Sequence, residues 1–131
     1  MLNVVTHDVI RLLLPAEPVY GRLARIAAQN LALRLGFDFR SIEDLRLAID
    51  ELVIFLLRPE GAPGVITIEF TVLDDGLAID AGTTAGEGQH WDDRASLRRF
   101  SAIVSETVDV VTVDEDLRHV HLEKHFPPRA A

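Results

Sequence analysis

The 131-residue chain contains no cysteine, which excludes disulfides, thiolate metal sites and cysteine nucleophiles together. Long apolar runs are also missing. The longest, Leu52 to Leu57, falls far short of the roughly 20 residues that a membrane-spanning helix needs. The N-terminus has neither the basic flank nor the continuous apolar core of a signal peptide, so a cytoplasmic protein is expected. No Pro/Gly-rich or charge-block segment marks a disordered region, and no internal repeat is evident. Clustered cations are absent too. The formal net charge is −8 with the acids spread along the chain, whereas a sequence-independent grip on phosphate backbones needs gathered Lys and Arg. Direct nucleic-acid binding is therefore not expected. The length fits a single domain over residues 1–131, able to bury about two thirds of its unfolded surface.

What is present is a sequence of clear periods and breaks. "DVIRLLLPAEP", residues 8–18, predicts a short strand stopped by Pro15, and Pro18 suits the first turn of a following helix, where its missing donor costs nothing. That helix runs from about residue 18 to 35. It places Val19, Leu23, Ile26, Ala27, Asn30 and Leu33 near one stripe, with Arg22, Arg25, Gln29 and Arg34 on the other side and Gly36 as its stop. In the next helix Ser41 can cap the free backbone donors, and Glu43 and Asp44 suit the positive end of the dipole. Ile42, Leu45, Ile49, Leu52 and Leu56 recur there at helical spacing. The run Val53 to Leu57 covers that helix on every side, so its end is either wholly buried or partly at a subunit interface. The Pro- and Gly-dense "RPEGAPG", residues 58–64, then breaks the chain.

Beyond it the period becomes two. "VITIEFTVLDDGLAID" reads as two strands around "DDG", with Gly76 free to take positive φ. Ile66, Ile68, Phe70 and Val72 point to the core. "GTTAGEGQHW", residues 82–91, reads as a mobile loop; it lacks the Lys and the immediate helix of a phosphate-binding loop. Asp92 or Asp93 can cap a third helix carrying Leu97, Phe100, Ile103 and Val104. Two more strands follow, "TVDVVTV" and "RHVHLEKHF", joined by "DED". Strand, two helices, two strands, helix and two strands make an α+β two-layer sandwich: a mixed, mainly antiparallel sheet with helices on one face.

This order, with a capped helix reading "IEDLRLAIDEL", resembles the ATP-binding domain shared by histidine kinases, gyrase and Hsp90-type ATPases. Within that superfamily the chain is similar to the small bacterial anti-sigma factors that act as serine/threonine kinases in partner switching. The stretches that carry the resemblance are "IRLLLPAEPVYGRLARIAAQNLALRLGF", "SIEDLRLAIDE" and "VSETVDVVTV…HVHLEKHF". In the family a helical Glu is followed four residues later by an Asn that holds Mg²⁺. Glu51 matches the Glu, but Phe55 stands at the Asn position and offers a metal no lone pair. The family's Asp-x-Gly-x-Gly box, whose Asp recognises adenine, is matched by Asp80 and Gly82, with Thr84 at the second glycine. Strand alternation nevertheless turns Asp80 outward if Leu77 and Ile79 face the core. At the phosphate-cradling Gly-x-Gly-Leu box, Arg94 and Ser96 replace both glycines and only Leu97 is kept.

The resemblance thus implies a degenerate member in which Phe55 fills or covers the space for Mg²⁺ and phosphate, and Glu51 is a relic or a structural acid. No cofactor is expected. The function implied is regulation by protein binding, with a sigma factor or a STAS-type anti-sigma antagonist as partner and a homodimer as the assembly. The first helix and its following turn, with Arg22, Arg25 and Arg34, are the expected contact surface. The alternative is an active divergent kinase that binds ATP and Mg²⁺, with Glu51 assisting the attacking hydroxyl and Asp80 on adenine. Asp50 is a conceivable metal ligand there, although it projects from another side of the helix. A third reading is a pseudo-ATPase module that senses another small ligand.

His119, His121, Glu123 and His125 alternate and so share one face of the last strand. A His-x-His pair can ligate zinc, but a solvated face without metal is the expectation taken. Such a face can also change charge between about pH 6 and 7. At a dimer contact, acidification would then weaken association.

Overall fold

The computed structural model of the chain describes residues 7–57, 61–86, 94–114 and 118–128. Strand β1 (Val9–Pro15) leads through a single 3-10 turn (Pro18–Tyr20) into helix α1 (Gly21–Leu35), followed by α2 (Phe39–Leu56). The hairpin β2 (Val65–Leu73) and β3 (Gly76–Thr83) comes next, then α3 (Arg94–Val104), β4 (Val110–Asp114) and β5 (His119–His125). The strands form one sheet in the order β1-β2-β3-β5-β4. Every pairing among the described residues is antiparallel, so the expected mixed sheet gives way to a purely antiparallel one. The two-layer α+β fold and its element order are as expected, and agree with a histidine-kinase-type ATPase fold.

Alternation makes one side of the sheet apolar. Ile66, Ile68, Phe70, Leu77, Ile79, Val120 and Leu122 are all buried there and join one core with Leu45, Ile49, Leu52 and Leu56 of α2. A strand side chain faces the side opposite to its neighbour's, so Arg11, Glu69, Asp80 and His121 stand on the other side, away from the helices.

Four local expectations are corrected. Large apolar residues do not bury α1: Val19, Leu23, Ile26 and Leu33 are 68, 51, 55 and 67% exposed, while Ala24, Ala28 and Ala32 are wholly buried. Alanines four apart form a flat ridge that lets α1 lie close on α2, and Gly21 continues it, since a Cβ there would meet Val53 Cγ1 at 3.3 Å. The cap of α2 is Asp38, whose Oδ1 accepts from the Ser41 backbone N–H at 2.8 Å; that bond holds the Asp38 carboxyl below its usual range. Ser41 is therefore the third residue of the helix, a donor to the cap and not the cap itself. Gly76 does not take positive φ. Its need is space, because a Cβ would sit 2.1 Å from the Lys124 carbonyl oxygen. Lastly, β3 runs on through Gly82 and Thr83, so the expected loop begins later; its residues 87–91, and the caps Asp92 and Asp93, lie outside the described residues.

Candidate functional site

Glu51 and Phe55 are one helical turn apart on α2 and project toward α3. Glu51 is buried, and Arg99 Nη2 lies 3.3 Å from its Oε1. The Phe55 ring stacks on Phe100 with centroids 4.7 Å apart and planes 11° from parallel. Between the helices remains a cleft lined by Glu51, Ile54, Phe55, Ser96, Arg99 and Phe100, with a volume of about 10 Å³. That is room for about one water molecule. Along the expected all-apolar run, Val53, Phe55, Leu56 and Leu57 are buried and Ile54 is 45% exposed. Asp50 points elsewhere, 3.6 Å from Arg25 Nε and 3.5 Å from Arg46 Nη1.

The cleft thus gathers Glu51, Phe55 and Ser96. Asp80 and Gly82 stay apart from them on the far side of the sheet, since their neighbours Ile79 and Ala81 take the core side. Nothing in the strand demands glycine at Gly82, where a Cβ would make only an ordinary 3.5 Å contact with the Arg118 carbonyl. Thr84 fastens the end of the β2–β3 ladder, its Oγ1 accepting from Val65 N–H at 2.9 Å. Arg94 is exposed at the start of α3. Sequence reasoning placed Phe100 in the core without pairing it to Phe55, and it missed Arg99. A buried helical acid needs a cation, and the arginines of "RRF" just before the apolar Phe100 were the available signal.

On the far side of the sheet, Asp80 Oδ1 lies 2.8 Å from His121 Nδ1 and 3.4 Å from His119 Nε2. His121 Nε2 reaches Glu123 Oε2 at 2.7 Å, and His125 Nε2 reaches Glu123 Oε1 at 2.9 Å. Partial burial pushes the His121 pKa down, but the hydrogen bonds to Glu123 and Asp80 outweigh it and leave the imidazole above 6.5. The Glu123 bond raises His125 as well, and bonds from both histidines hold Glu123 below the usual carboxylate range. Among the described residues no group of three His, Cys, Asp or Glu is arranged to hold a metal ion. None of their helices is long and apolar enough to cross a membrane.

The outer side of α1 is the third notable surface. Its exposed Leu23, Ile26 and Leu33, continued by Val19 of the preceding 3-10 turn, are accompanied by exposed Arg22 and Arg34. Arg25 is partly drawn away to Asp50.

No protein-family model matches the chain. Its sequence is similar to curated proteins named serine-protein kinase RsbW. That of Listeria monocytogenes is 36% identical over 84 residues, 60% of this chain and 54% of that protein. In Oceanobacillus iheyensis the identity is 33% over 76 residues, 56% of this chain and 48% of that protein. The Bacillus subtilis protein is 31% identical over 88 residues, 65% of this chain and 53% of its own length. The chain spans about half the length of the curated relatives it matches.

Proposed function

We propose that this chain, an RsbW-like protein of the anti-sigma type, regulates by binding protein partners and has given up ATP. The observation that carries this reading is the filled cleft between α2 and α3. Phe55 and Phe100 occupy it as a stacked pair, Arg99 takes the Glu51 carboxylate, and about 10 Å³ remains. A nucleotide with its Mg²⁺ needs several hundred Å³, on the scale of ordinary ligand pockets. It also needs a ligand for the metal where Phe55 presents a ring. Glu51 is then a structural acid, and no cofactor is required.

The partner in this reading is a sigma factor or a STAS-domain antagonist, met in the cytoplasm by a single-domain protein that pairs as a homodimer. The outer side of α1 supports it: four large apolar side chains stand in water there beside Arg22 and Arg34, and such patches mark interaction sites. Replacing Leu23 and Ile26 together by Glu should abolish partner binding while leaving the melting temperature nearly unchanged. A sedimentation run on the same variant tells whether this surface serves the homodimer instead.

The names of the relatives favour a second reading, a divergent kinase that binds ATP and Mg²⁺, with Glu51 near the attacking hydroxyl. Titration calorimetry with ATP and a non-hydrolysable analogue, with and without Mg²⁺, separates the two. No heat up to millimolar nucleotide from folded protein is the expected result. A Mg²⁺-dependent heat at micromolar nucleotide would establish the kinase reading in its place.

A further inference from the structure

One row of side chains crosses the whole outer side of the sheet. Arg11 on β1 stands opposite Glu69 on β2, Glu69 opposite Asp80 on β3, Asp80 opposite His121 on β5, and His121 opposite Thr112 on β4. Two acids directly opposite each other repel, so Glu69 and Asp80 depend on the groups that flank them in the row, Arg11 and His121. Arg11 Nε answers Glu69 at 3.0 Å. Among the described residues, the side-chain partners of Asp80 are the histidines His119 and His121.

His121 is held by carboxylates on both ring nitrogens, Asp80 at 2.8 Å and Glu123 at 2.7 Å. A neutral imidazole has one N–H and one lone pair, and the lone pair would have to face a carboxylate oxygen. Only the imidazolium donates to both. We propose that this cluster is a proton-dependent clasp, tying side chains of β3 to those of β5 across their backbone ladder while His121 is an imidazolium and losing that tie when it gives up the proton.

The surroundings reinforce the dependence. Besides Arg11, Glu69 and Asp80, the groups about His121 among the described residues are His119, Glu123 and His125 on its own strand and Asp114 of β4, which stands opposite His119. Asp109 accepts from the His125 backbone N–H at 2.7 Å, and Asp75 acts on the same histidine electrostatically. Arg118 sends its guanidinium to the Ala85 carbonyl. Lys124 turns to the helix side, bonding Asp44 and the Thr107 carbonyl. Once His121 is neutral, the described residues give Asp80 and Glu123, which face each other across it, no other shared ion pair.

The sign follows from linkage. His121 is raised above 6.5 in the fold, so its contribution is complete below the unfolded value and is lost as pH rises through the folded one. Glu123 is lowered from 4.5, so its contribution is complete above that value and is lost as pH falls through the folded one. The clasp is strongest between these limits. Protonation of His121 holds this face together within the chain.

The test is an NMR titration of the histidine ring protons of the whole chain from about pH 5.5 to 8.5, with thermal melts over the same range. His121 should titrate with a midpoint above 6.5, and the wild-type melting temperature should fall across that midpoint. His121→Gln should make the fall shallower, and Asp80→Asn should move the His121 midpoint down. A wild-type midpoint at or below 6.5, or an equally steep fall in His121→Gln, overturns the proposal. If His121→Gln does not fold, the wild-type midpoint and its displacement in Asp80→Asn decide alone.

Discussion

Glu51 and Asp80, the two acids that the family resemblance assigns to one site, lie on opposite sides of the sheet and meet opposite fates. Glu51 is enclosed between two helices with one arginine and two stacked phenyl rings, in a cleft with room for about one water. Asp80 lies in an open groove of about 620 Å³ on the far side, lined also by Arg11, Glu69 and His119, and its nearest partners are histidines. The difference lies in what answers the charge. A guanidinium keeps its proton at every physiological pH, so the inner acid is tied to packing; an imidazole does not, so the outer acid is tied to pH. Changes in the cleft should therefore alter stability at all pH values. Changes outside should alter how stability varies with pH.

The largest effect is expected in the cleft. Phe100 is 2% exposed and its ring is the partner of Phe55. Phe100→Ala removes the ring and leaves a void, which costs about 3–5 kcal/mol. Urea unfolding at two pH values should show the same loss at both. A loss under about 1 kcal/mol would mean that the cleft collapses easily, and the contrast with the outer face would weaken.

Next comes the seam between β3 and β5. In Gly76→Ala the new methyl must find room 2.1 Å from the Lys124 carbonyl and 2.8 Å from His125 Cα, so the two strands must part. Overpacking of this kind costs about 1–3 kcal/mol. Because the clasp bridges the same strands, the variant should also show a flatter melting-temperature profile above neutral pH. A steep profile retained after the strands are forced apart would sever the link between seam and clasp.

A smaller change is expected at Glu51 itself. The Arg99 side chain is 62% exposed, so water can solvate it when the acid is removed, and Glu51→Gln should cost only about 0–1 kcal/mol. No new slope between pH 6 and 8 should appear, since the pair contains no imidazole.

How far this contrast could be read in advance depended on periodicity. Alternation alone put Ile66, Ile68 and Phe70 inside, turned Asp80 outward and set His119, His121, Glu123 and His125 on one face. Helical spacing found the buried Leu45, Ile49, Leu52 and Leu56 of α2. It failed on α1, because a pattern ranked by size prefers Leu23 and Ile26 to Ala24 and Ala28, whereas close helix packing prefers the alanines. It failed at Gly76, where the constraint comes from a carbonyl on a strand nearly fifty residues away and not from the turn. Asp38 escaped notice because Ser41 is an equally good capping residue by type. The partners themselves, Arg99 for Glu51 and Asp80 for His121, depend on which elements are neighbours, and no local pattern encodes that.

The smallest effect tests how far the outer row acts as a unit. Arg11 is the row's terminal cation; its side chain is 66% exposed and its partner Glu69 is 29% exposed. Exposed pairs contribute about 0–1 kcal/mol, so Arg11→Ala should scarcely move the melting temperature at pH 6. Its consequence should appear two strands away. Without Arg11 the Glu69 charge is uncompensated opposite Asp80, the surroundings of the His121 imidazolium become more negative, and its midpoint should move up. In Arg11→Ala with Glu69→Gln the unbalanced charge is gone, and the midpoint should return towards the wild-type value. An unchanged midpoint in the single variant would confine the clasp to Asp80, His121 and Glu123, with the first two strands serving only as its scaffold.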